Sequence, residues 1–120
     1  RMTRRDVGAA GERFAAALYR KAGYAVAACN YACRFGEIDI ICENAEYIVF
    51  AEVKARDLSS AYLPREAVTP QKQRRIIRSA EHYLMQNPSQ KQPRFDVVEL
   101  TLHGGRVADW TILDNAFGAW

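Results

Sequence analysis

The stretch GEIDIICENAEYIVFAEVK, residues 36–54, decides how this chain folds. Within it EIDIIC (37–42) and YIVFAEVKA (47–55) are rich in β-branched and aromatic residues and are parted by ENAE (43–46), so two strands joined by a hairpin loop are expected. Side chains alternate along a strand, which puts Glu37 and Asp39 on one face of the first strand and Glu52 and Lys54 on one face of the second. A loop over 44–47 pairs residues 43 and 48, and the same register sets Asp39 opposite Glu52.

Two carboxylates side by side need a cation. At an effective dielectric near 20, like unit charges about 4 Å apart repel by roughly 4 kcal/mol, enough to raise one pKa strongly. Mg²⁺ suits such a place, because it takes one or two carboxylates and leaves its other positions to water and phosphate oxygens. The Val53 carbonyl can complete the metal shell, and the Lys54 ammonium stands one alternate position beyond Glu52. Together these groups suit phosphodiester hydrolysis by metal-bound water. Spacing alone leaves a plainer alternative open, a salt-bridged hairpin in which Lys54 neutralises Glu52 or Asp39 across the strands.

Working outward, Val7, Ala10, Phe14, Ala17 and Leu18 recur at helical spacing between about Arg4 and Ala22, and Gly23 follows as a C-cap. Glu12 falls on the side away from that stripe, among Gly8, Ala15 and Ala16. YAVAAC (24–29) is a short strand, and NYACRFG (30–36) is a polar, aromatic connection. The pattern lapses over 56–68, an exposed loop. Thr69 then offers an N-cap and Pro70 a first helical residue, with Ile76, Ile77, Ala80, Tyr83 and Leu84 as the apolar stripe of a second helix. Two prolines end that helix within 86–93, and RFDVVEL and RVADWTIL read as two more strands around a turn at His103, Gly104 and Gly105. The order is α-β-β-β-α-β-β. A right-handed crossover between the third and fourth strands makes the central sheet mixed, an α/β fold with helices covering it.

The 120 residues fit one domain, 1–120, and a 26% charged, 49% hydrophobic composition excludes disorder. No apolar run approaches the length needed to cross a bilayer and the start lacks a signal peptide, so a cytoplasmic protein without a membrane partner is expected. Cys29, Cys33 and Cys42 are read as free thiols, since no second pair or suitable histidine completes a zinc site. Charge is uneven: residues 36–52 carry five acidic side chains and no basic one, whereas 69–94 carry six Lys or Arg against the single Glu81. An acidic pocket beside a basic surface is what a metal-dependent enzyme acting on a polyanion needs, although a solvated helix face is the ordinary source of such a cluster.

The G-E-I-D, F-x-E-V-K-x-R and T-P-x-K elements, in this order between Gly8 and Phe117, resemble the YraN-type bacterial family of predicted endonucleases, distant relatives of archaeal Holliday junction resolvases. The resemblance implies a restriction-endonuclease-like fold and a PD-(D/E)xK site that cuts DNA, branched DNA included. In it Asp39 and Glu52 hold Mg²⁺ or Mn²⁺ and Lys54 is the catalytic lysine. It also implies that Glu12 joins the metal cluster and that two copies form a homodimer, as resolvases do to cut two strands symmetrically. Ile38 replaces the motif's proline, and Ala51 stands where the family usually has a larger aliphatic residue; neither removes a ligand.

Around this centre Glu37 is a candidate to support Lys54 or Arg56, or simply to pair with them, and Arg56 is a candidate to bind phosphate or cap the site's negative charge. Gln71 and Lys72 open the second helix, where the dipole favours anions. Arg74, Arg75 and Arg78 are candidate nucleic-acid contacts, and Tyr31, Phe35 and Tyr62, placed in loops, are candidates to stack on bases. His82 and His103 are read as structural or surface residues. The alternative function is a non-catalytic nucleic-acid-binding module or partner scaffold that kept the fold.

Overall fold

In the computed structural model, which describes residues 3–59 and 68–118, the expected hairpin is present with the expected register. The elements are α1 (Arg4–Lys21), β1 (Ala25–Cys33), β2 (Gly36–Glu43), β3 (Tyr47–Asp57), α2 (Pro70–Gln86), β4 (Gln92–His103) and β5 (Arg106–Phe117). Glu43 pairs with Ile48, Cys42 with Val49, Ile41 with Phe50 and Ile40 with Ala51. Asn44 closes the loop by accepting from the backbone N–H groups of Glu46 and Tyr47.

The five strands form one sheet in the order β1-β2-β3-β4-β5. β3 and β4 run parallel, joined across α2, and every other neighbouring pair is antiparallel. This is the α/β architecture with the mixed sheet that the sequence implies. α1 covers one face, over Ile40, Cys42, Val49, Ala51, Val98 and Leu100. α2 covers the other, over Ile38, Ile41, Ile48, Phe50 and Phe95. Both faces of β2 and β3 are therefore apolar, which is why these strands read as near-continuous hydrophobic runs.

α1 begins at a capping box, with the Thr3 hydroxyl accepting from the Asp6 N–H and the Asp6 carboxylate accepting from the Thr3 N–H. Its buried face differs from the expected stripe. Val7, Gly11, Ala15, Ala16 and Tyr19 are buried, Ala10, Phe14 and Leu18 are half-buried, and Ala17 is exposed. Close approach to the sheet selected the smallest side chains: a Cβ added at Gly11 would lie 2.7 Å from the Cβ of Ala55. Glu12, expected on the outer side, is consequently half-buried at the margin of the packed face.

The connection expected over 30–36 is largely strand. β1 runs on to Cys33, which pairs with Gly36, so only Arg34 and Phe35 form the turn, and Gly36 at φ +150° takes a conformation open to glycine. Tyr31 is thus a strand residue. β3 continues to Asp57, past the point where the pattern lapses; the rest of the expected loop, with Tyr62, falls outside the described residues. α2 starts as expected, Thr69 capping Lys72 N–H and Pro70 leading the helix.

Two buried polar groups support this frame. Asp96, fully buried on β4, accepts from the Tyr19 hydroxyl at 2.7 Å, the Asn115 N–H and two Arg94 nitrogens at 3.0 Å. Asp57 holds the β4–β5 turn by accepting from the N–H groups of Gly104 and Gly105. Its pKa is brought down to about 2 chiefly by accepting from the Ser59 hydroxyl and N–H, with the two glycine N–H groups adding to this.

Candidate functional site

The β2–β3 ladder ends at Ile40 and Ala51, one step before Asp39 would meet Glu52. There the Asp39 carboxylate, instead of a backbone carbonyl, accepts the Val53 N–H at 2.7 Å. That bond holds Asp39 in the fork where the two strands part, beside Glu52. Glu52 is buried, its side chain 8% exposed, and its carboxylate meets the Lys72 ammonium at 2.6 Å.

Burial, the neighbouring Glu52 and the more distant Glu12 push the Asp39 carboxyl up to about 8, against the lowering by the Val53 N–H. Removing water favours the neutral acid, and a second carboxylate within reach disfavours ionisation again. Lys72, paired to Glu52, stabilises that carboxylate more directly than it does Asp39. A cation placed beside Asp39 would favour its ionised form.

The structure brings Asp39, Glu52, the Val53 backbone and Lys72 together, and sets Glu12 within electrostatic reach of Asp39. Lys54 lies half-buried two residues past Glu52, on the same strand face, and Arg56 follows, exposed. Glu37 is exposed near the β1–β2 turn, opposite Ala32. Gln71, Arg74, Arg75 and Arg78 are exposed on α2. No group of three or more His, Cys, Asp or Glu side chains that could hold an ion by itself exists among the described residues. Two carboxylates with a backbone carbonyl nonetheless fit a hard cation that keeps several waters, so the donor set present suits Mg²⁺ or Mn²⁺.

The aromatic residues are less available than their expected loop positions implied. Tyr31 meets Tyr83 edge-on at 5.2 Å, and its hydroxyl bonds His82 Nδ1 at 2.7 Å, which gives His82 a structural partner that the sequence did not suggest. Phe35 lies under two guanidiniums, Arg34 at 4.8 Å and Arg78 at 4.6 Å, and against the His82 ring. Cys29, Cys33 and Cys42 are free thiols, as expected.

Fold and fork define an α/β protein with a mixed five-stranded sheet, carrying a carboxylate pair where its two central antiparallel strands separate. Residues 11–100 match the model of the uncharacterised protein family UPF0102, and the chain belongs to that family. It is 38% identical over 117 residues to a UPF0102 protein of Chloroflexus aurantiacus, covering 96% of this chain and 95% of the relative. It is 40% identical over 121 residues to one of Lachnoclostridium phytofermentans, covering 99% and 98%. With one of Syntrophus aciditrophicus the identity is 46% over 96 residues, covering 79% and 76%. No helix among the described residues is long and apolar enough to cross a membrane.

Proposed function

We propose that this protein is a metal-dependent endonuclease that hydrolyses phosphodiester bonds in DNA. The observation that carries the proposal is the fork itself: Asp39, fixed by the Val53 N–H at 2.7 Å, beside the buried Glu52. Asp39 and Glu52, with the Val53 carbonyl and with Glu12 assisting, would hold Mg²⁺ or Mn²⁺. An ion held there would lower the pKa of a bound water and offset charge on the phosphate. Lys54 orients the attacking water and donates to the phosphate oxygen on which negative charge grows. The water oxygen bonds to phosphorus and releases a proton to solvent, the phosphorus–oxygen bond to the leaving nucleoside breaks, and that oxygen takes up a proton from a second water. Arg56, Gln71 and the α2 arginines hold neighbouring phosphates, and Glu37 helps keep the Lys54 side charged. A PD-(D/E)xK homodimer cutting branched DNA is the form of this activity that the family resemblance favours.

Purified protein given Mg²⁺ or Mn²⁺ with four-way junctions, flaps and single strands is expected to cut at least one of them. Asp39→Ala and Lys54→Ala should each lower the rate at least a hundredfold. Absence of any cleavage that these substitutions abolish would defeat the proposal.

One observation favours a second reading. The Lys72 ammonium already neutralises Glu52, as it would in a non-catalytic nucleic-acid-binding module that needs no metal. That reading predicts DNA binding unchanged by Asp39→Ala and weakened by Arg74→Ala combined with Arg78→Ala.

A further inference from the structure

One line of side chains on α2 starts at the carboxylate fork and runs away from it along the β1–β2 hairpin. Lys72, Arg75, Arg78 and His82 fall at helical spacing on one side of the helix. Lys72 meets Glu52 at 2.6 Å. Arg75 packs at Gly36, where an added Cβ would lie 3.6 Å from its own Cβ. Arg78 stands over the Phe35 ring at 4.6 Å, and His82 packs against the same ring. From Lys72 to His82 the helix rises roughly 15 Å, the length of a short run of nucleotides.

The far end of this line is built in a particular way. Phe35 projects from the two-residue turn between β1 and β2, and Arg34 and Arg78, from different elements, both lay their guanidiniums over its ring. Both arginines are exposed, and among the described residues no carboxylate lies within ion-pair distance of Arg34, Arg75 or Arg78. Cation–π contact with Phe35 holds two planar cations at a fixed place, while His82, tied to Tyr31 at 2.7 Å, buttresses the ring from the side. Like charges gathered on one surface repel one another, and a polyanion removes that repulsion. A planar guanidinium held over an aromatic ring can also stack on an unstacked base and reach phosphate with its N–H groups.

We infer that Arg34, Phe35 and Arg78 form a clamp for single-stranded nucleic acid, gripping a base and its phosphate a few nucleotides from the carboxylate fork. A duplex hides its base faces, so stacking on the clamp selects single strands, flaps and the unpaired arms of branched molecules. The inference rests on the proposed nucleic-acid function and narrows its substrate to molecules with an unpaired segment.

The test is fluorescence anisotropy in EDTA at low salt, which removes cleavage from the readout. The probes are a labelled thymidine 12-mer, its duplex with the adenosine 12-mer, and the same single strand with its central bases abasic. The intact strand is expected to bind at least tenfold more tightly than the other two. Arg34→Lys with Arg78→Lys keeps the charge and loses the planes, and should erase that preference; Phe35→Leu should weaken single-strand binding severalfold. Circular dichroism melting checks the fold of each variant, and Arg106→Gln, far along the chain on β5, serves as a surface-charge control. Equal binding of intact and abasic strands, tighter duplex binding, or a lysine pair that behaves as the native chain would each overturn the clamp. A clamp that passes in a protein that never cuts would retire the nuclease reading and leave this one standing; cleavage with no base-dependent binding would do the reverse.

Discussion

Asp39 is the residue on which the chemistry turns, and its surroundings give a signed prediction. Its carboxyl is raised from 3.8 to about 8 by burial and by Glu52, so between those values the folded chain holds a proton that the unfolded chain has released. The stabilisation linked to that proton is complete below about pH 4 and is lost as pH rises through about 8. Metal-free protein should therefore show a falling Tm between pH 5 and roughly 8.5 from this group, and Mn²⁺, which competes with the proton, should raise Tm far more at the alkaline end. Asp39→Asn should flatten both trends; a variant that keeps them would locate the effect elsewhere. Lys72 supplies the complementary test. Removing its charge leaves Glu52 buried beside Asp39, and since Lys72 is 39% exposed the expected loss from Lys72→Gln is about 1 kcal/mol in urea unfolding without metal. Added Mn²⁺ should stabilise this variant more than the native chain.

At the scale of elements, the hairpin of residues 36–54 was legible to the register, because strand periodicity and a short loop leave few pairings. The alternation of Glu37, Asp39, Glu52 and Lys54 exposed the fork for the same reason. Helix α1 was legible in extent and misread in orientation. Hydrophobic periodicity favoured Phe14 and Leu18, whereas the sheet accepted Gly11 and Ala15, a choice set by how near a helix can come and not by how apolar its residues are. Polar residues interrupt β1 and make the short turn at Arg34 and Phe35 look like a longer loop in sequence, and the Tyr31–His82 bond spans too much sequence for any local pattern to reveal. Gly11→Ala tests the close approach. Alanine gains about 1 kcal/mol of helix propensity, yet its Cβ would fall 2.7 Å from that of Ala55, so a net loss of about 1–3 kcal/mol is expected in denaturant melts. An unchanged or raised midpoint would show a looser seat for α1, and with it for Glu12.

For the molecule as a whole, the two helices lie on opposite faces of one sheet and the fork opens where its central strands part. α1 brings Glu12 toward Asp39 and α2 brings Lys72 to Glu52, so the charge balance of the site depends on both layers. Sequence pattern showed the carboxylates and the basic helix separately; only packing shows that the basic line begins at the carboxylates. Divalent-cation binding in the fork is the central claim, and anomalous scattering from a crystal soaked in Mn²⁺ near pH 8 tests it most directly. A manganese peak liganded by Asp39 and Glu52 is expected, with the Lys72 ammonium displaced from Glu52. A saturating soak that leaves the fork without a peak and Lys72 still paired to Glu52 would contradict it.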